Sequence, residues 1–161
     1  MYKRQVPKFL KSGEYNPTNS LATISNAMDV GNPSNFVRMK AIYDSEGSTW
    51  NNMKKDILSF SYTDEETKAA VLEIQNKLNY TPDPHGAVGY LACKEYQKIN
   101  SQDHCIFLET AHPGKFSEVV EEIIGDTLTL PEKLETFLIR KKEAFSCQPD
   151  YSDFKRLLLS L

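Results

Sequence analysis

The chain has many helices to place and almost no sheet to place them on. Its one strong strand signal is Cys105 to Glu109, a short apolar run of the kind found in buried parallel strands. Leu21 to Ser25 is a second candidate strand, ahead of a polar turn at Asn26 to Asn32. Against these two stand six stretches with helical spacing. An open α/β sheet needs more strands than two. The expectation is therefore a helix-rich part of an α/β fold whose other strands lie in sequence not present here.

The helical stretches carry their own start signals. Pro33-Ser34 opens one with Phe36, Met39 and Tyr43 on a single face. Thr63 and Glu66 form a capping-box pattern ahead of Val71, Ile74 and Leu78. Asp83 is placed to cap the next, with Pro84 at the first position, where a missing N–H costs little. Val88, Leu91, Ala92 and Tyr96 supply its buried stripe. Phe116, Val119, Val120 and Ile123 mark a helix after the Thr110 to Gly114 turn. Leu134, Phe137 and Leu138 mark another, and Phe154, Leu157, Leu158 and Leu161 the last. The first twenty residues, punctuated by Pro7, Gly13, Asn16, Pro17 and Asn19, read as loop, and Asp44 to Asn52 as a weakly structured connector.

Composition narrows the function classes. A net charge of −3 without a basic, aromatic-interleaved face argues against nucleic acid. No apolar run is long enough to span a bilayer, and the charged start lacks a signal peptide's apolar core. Cys93, Cys105 and Cys147 are far apart and form no C-x-x-C pair, which fits reduced thiols in a cytoplasmic protein. His85, His104 and His112 lack metal-ligand spacing, so no metal is expected.

Three polar segments remain as candidates for chemistry. Thr110 stands at the exit of the Cys105 to Glu109 strand, where open α/β sheets bind ligands. It fits two readings, a helix cap or a hydroxyl that meets a heteroaromatic nitrogen, and spacing does not choose between them. His112 and Lys115 follow closely and can meet an anionic group. Around Asp83 and His85 the small residues Gly86, Ala87 and Gly89 permit close approach, more often of another backbone than of a ligand. The Ser25 to Asn35 loop, with Asn26 and Asp29, is dense in groups that bind a polar substrate or form Asx turns.

Several motifs, in order, resemble the C-terminal part of threonine synthase. They are Val6 to Gly13, Ser25-Asn26-Ala27-Met28-Asp29, Asp83-Pro84-His85-Gly86-Ala87-Val88, Thr110-Ala111-His112-Pro113-Gly114-Lys115-Phe116 and Gly125 to Pro131. The resemblance implies a three-layer, tryptophan-synthase-like fold of type II with pyridoxal 5'-phosphate as cofactor. It implies conversion of O-phospho-L-homoserine and water to L-threonine and phosphate. By the same match Thr110 would contact the cofactor's pyridine nitrogen, with Asp83 and His85 near the ring. Asn26, Asp29, His112 and Lys115 would lie on the substrate side.

The family's Schiff-base lysine sits in an early Phe-Lys-Asp segment and its phosphate loop is rich in Gly and Asn. Neither has a counterpart in residues 1–161. Phe154-Lys155-Arg156 is only superficially similar and lies on the final amphipathic helix. The whole chain is therefore expected to be the C-terminal portion of the catalytic domain, with no catalytic lysine, partnered by the N-terminal part and inactive alone. The competing expectations are a related type II lyase or dehydratase, and a non-catalytic helical module that binds through exposed apolar faces.

Overall fold

A computed structural model describes residues 4–26, 29–44, 48–141 and 143–161. Ala27 and Met28 of the Ser25 to Asp29 motif, and residues 45–47 of the expected connector, lie outside them, as do residues 1–3. The chain divides into two compact units, residues 1–129 and residues 130–161. Eight α-helices are found among the described residues, and no strand is.

In the first unit, α1 (Gln5–Ser12), α2 (Phe36–Tyr43) and α3 (Thr49–Asp56) enclose one small core of Phe9, Phe36 and Met53. Two of these helices correct the sequence reading. α1 replaces part of the expected N-terminal loop, because Val6, Phe9 and Leu10 share a face and Gly13 ends the helix at φ +79°. Pro7 is tolerated because it falls in the first turn. α3 replaces the second half of the expected connector. Ser48 caps it by accepting from the Asn51 amide, and Met53 is fully buried. Trp50 donates from its indole to the Leu10 carbonyl at 2.9 Å and so fastens α3 to α1.

α4 (Asp64–Leu78), α5 (Pro84–Gln97) and α6 (Ser117–Ile124) enclose the second core. Ala70, Val71, Ile74 and Ala87 form its centre, with Tyr90, Leu91, Ile123 and Ile124 packed around them. The capping box at the start of α4 forms as the sequence indicates. The Glu66 amide donates to the Thr63 hydroxyl at 3.2 Å, and the Glu66 carboxylate accepts from the Thr63 amide at 2.7 Å. Glu73 of α4 joins Lys94 and Tyr90 of α5, and hydrogen bonds led by those from Lys77 and Lys94 hold its carboxyl down to about 2. Such a partly exposed network adds little stability but joins α5 to α4 across their interface.

Neither expected strand pairs. Residues 21–23 are irregular, and residues 24–25 form a turn. Cys105 to Glu109 is not helical, and burial alternates along it as in a strand: Ile106 is 88% exposed and Leu108 76%, while their neighbours are half-buried. A strand is completed by a ladder to a second strand. None is available among the described residues.

The second unit holds α7 (Glu132–Leu138) and α8 (Tyr151–Ser160), the two helices expected from their apolar spacing. Asp150 caps α8 by accepting from the Asp153 amide at 2.9 Å. Phe137, Leu138, Phe154 and Leu158 stay largely exposed, and Lys155 faces solvent as the amphipathic reading requires.

Candidate functional site

The start of α5 is built around Asp83. Its backbone is extended and its side chain fully buried, flanked by the buried Pro82 and Pro84. Oδ1 accepts twice, from the His85 amide at 2.7 Å and from His85 Nδ1 at 2.8 Å. A carboxylate only accepts, so this contact places a proton on Nδ1 and orients the ring. On its other side the His85 ring meets Phe116, with centroids 5.3 Å apart.

The segment 105–109 descends α5 in the opposite direction. Cys105 Sγ lies 4.0 Å from the Cys93 carbonyl oxygen. Phe107 sets its ring edge-on to Tyr90 with centroids 6.1 Å apart, over Gly89, where a Cβ would stand only 3.1 Å from its own. Glu109 lies on Gly86, where a Cβ would stand 1.6 Å from Oε1. Alternate residues of an extended chain thus meet positions 93, 89–90 and 86, one face of a helix. The glycines of α5 serve this packing and not an open ligand cleft.

Four polar atoms at this junction are shielded from solvent without a hydrogen-bond partner: Asp83 Oδ2, His85 Nε2 and both carboxyl oxygens of Glu109. Two acid groups side by side resolve the conflict by holding one proton between them. Burial, and then the neighbouring Asp83, push the Glu109 carboxyl up to about 8. Burial pushes Asp83 up as well, but the hydrogen bonds from His85, together with the proton that Glu109 can hold toward it, outweigh burial and leave Asp83 below its usual value.

The linkage has a defined sign. The folded chain binds the Glu109 proton more tightly than the unfolded chain, so this contribution is complete below the ordinary value of 4.5 and is lost as pH rises through about 8. Asp83 contributes in the opposite sense, with stability lost in acid as it is protonated. Thermal melts from pH 5 to 9 are expected to show a decline toward pH 8 that Glu109→Gln removes. A decline that persists unchanged in that variant would assign it to other groups.

The expected site residues divide into two places. Thr110 follows Glu109 at the exit of the extended segment, with its side chain exposed. His112 Nδ1 accepts from the Gly114 amide at 3.0 Å and caps a 3-10 turn at Pro113–Phe116, on which Lys115 is exposed. Phe116 carries this turn to His85. Asp83, His85, Thr110, His112 and Lys115 therefore belong to one neighbourhood. Asn26 and Asp29 sit on a separate loop, where Asn26 is exposed and Asp29 accepts from the Thr23 amide and hydroxyl, both at 2.7 Å. That loop is stitched further by Gln5 and Ser20 to Gly31. Glu109 escaped the sequence reading, where it closed an apolar run. A carboxylate ending a strand next to a small-residue helix start was the available signal.

The arrangement is a set of helices backing an extended segment that ends in polar groups, with the other face of that segment uncovered. Known proteins supply the family. A family model described as "Threonine synthase, C-terminal" matches residues 86–157. Threonine synthase of Escherichia coli K12 is 34% identical over 155 residues, covering 96% of this chain and 35% of that protein. Threonine synthase of Haemophilus influenzae is 41% identical over 130 residues, covering 81% of this chain and 29% of that protein. The crystal structure of the E. coli enzyme superposes with a TM-score of 0.81 over 97% of this chain and 35% of that one. That of pyridoxal-phosphate-bound threonine synthase from Brucella melitensis, 24% identical, gives 0.71 over 85% of this chain and 34% of that one, a likeness of fold. The chain is similar to the C-terminal part of threonine synthases and spans about a third of the length of the relatives it matches.

Proposed function

We propose that the chain forms the C-terminal wall of a cytoplasmic threonine synthase, converting O-phospho-L-homoserine and water to L-threonine and phosphate. The observation that carries this reading is the position of Thr110, an exposed neutral hydroxyl at the end of a segment anchored to a buried helix start. The remainder of the enzyme is the partner, and it would bring the cofactor-binding lysine and the strands that cover Ile106 and Leu108.

The residues present fit pyridoxal phosphate. Thr110 offers a hydroxyl for the pyridine nitrogen, and His85 keeps a shielded Nε2 without a partner beside the Phe116 ring. When bound, the cofactor supplies the electron sink for reaction at the amino acid's carbons. Thr110 is neutral, so it can satisfy the pyridine nitrogen without holding it protonated, as a carboxylate would. Asp83 acts on the same neighbourhood through His85, whose tautomer and orientation it sets. His112 and Lys115 lie where an anionic substrate group would be met by polar and positive side chains. Asn26 and Asp29 are assigned to the substrate side, with Asp29 also holding its own loop.

Phosphate release from O-phospho-L-homoserine tests this. The chain alone is expected to give none. Joined to the N-terminal part of a threonine synthase and supplied with pyridoxal phosphate, it is expected to turn over. Thr110→Val should cut that turnover about tenfold, the worth of one hydrogen bond of roughly 1.4 kcal/mol. A joined protein that folds and binds cofactor but releases no phosphate would contradict the proposal.

A further inference from the structure

We propose that Glu109 is a positioning residue: its carboxyl, held on the bare Cα of Gly86 beside Asp83, fixes the place of the Thr110 hydroxyl. The inference rests on the reading of Thr110 given above and adds a role that follows from geometry alone.

The segment 105–110 contributes to no helix and to no sheet ladder among the described residues. Three side chains tie it to α5: Cys105 at Cys93, Phe107 at Gly89 and Tyr90, and Glu109 at Gly86. Glu109 is the last of these before Thr110, one peptide unit away. Ile106 and Leu108, on the alternate face, are largely exposed and hold nothing. Without Glu109 the final anchor is Phe107, and two more residues, 108 and 109, are free ahead of Thr110. The seat is specific in shape, because only glycine leaves room for the carboxyl at position 86. It is also specific in chemistry. Asp83 Oδ2 has no other donor, so the group opposite it must bring a proton. A neutral glutamic acid does so, and a glutamine amide can replace it; an alanine cannot.

The test has two readouts. In the isolated chain, the 15N order parameter of Thr110 is expected near 0.85, the value of rigid backbone, and below about 0.6 in Glu109→Ala. Glu109→Gln should restore it. Gly86→Ala, which evicts the carboxyl while leaving Glu109 chemically intact, should reproduce the loosening. In the joined protein with 15N-labelled pyridoxal phosphate, Glu109→Ala should move the pyridine nitrogen resonance as Thr110→Val does, and Glu109→Gln should not. Unchanged Thr110 order in both Glu109→Ala and Gly86→Ala would overturn the proposal. Loosened Thr110 order together with a nitrogen resonance indifferent to Thr110→Val would uphold the positioning and overturn the cofactor reading beneath it.

Discussion

Replacing Asp83 with alanine is expected to destabilise the chain by roughly 3 kcal/mol, a loss assembled from two sources. Removing a helix cap costs about 0.5–2 kcal/mol. The remainder comes from stranding buried groups, since His85 Nδ1 and the proton-bearing Glu109 both lose their acceptor. Asparagine separates the two effects. Its side-chain oxygen still accepts from the His85 amide, while the charge that organises the pair is gone. Urea unfolding of the wild type, Asp83→Asn and Asp83→Ala should therefore rank in that order. An alanine variant within about 0.5 kcal/mol of wild type, the range of ordinary surface changes, would show that Asp83 is neither cap nor network member.

Ile74→Ala is expected to cost about 2–5 kcal/mol, the range for truncating a fully buried branched side chain. Ile74 has no exposed surface and stands in the core with Val71 and Ala87, at the meeting of α4 and α5. The core is small, so little surrounding structure can move in to fill the cavity. Its consequence extends to the site, because α5 presents Asp83, Gly86 and Gly89 only if its rotation against α4 is kept. Leu72, on the same helix but 37% exposed, serves as the comparison, and its alanine variant should lose well under half as much. Equal losses at the two positions in urea unfolding would contradict the packing described.

Local chemistry made much of this architecture legible in the sequence. Thr63 and Glu66 bond as their spacing indicates, and Asp83 caps α5 with Pro84 at its first position. Apolar periodicity found α2 and α4 to α8. It passed over α1 and α3 because Pro7 reads as loop punctuation in the first and the polar Thr49 to Asn52 run hides the apolar positions of the second. The Cys105 to Glu109 run read as a buried strand, but Ile106 and Leu108 are largely exposed and no ladder forms, because strand pairing depends on neighbours not found among the described residues. Glu109 was illegible for another reason. Its contact with Gly86 joins residues 23 apart, and only the reverse descent of the segment along α5 brings them together. The same geometry explains why Gly86 and Gly89 turned out to be packing positions, the commoner role of small residues at a helix face.

The most direct measurement of the central claim is a crystal structure of the joined protein with pyridoxal phosphate bound. The expected result is Thr110 Oγ1 within about 2.7–3.2 Å of the pyridine nitrogen, with the Glu109 carboxyl still seated on Gly86. A pyridine nitrogen met by a different side chain, with Thr110 turned to solvent, would contradict it.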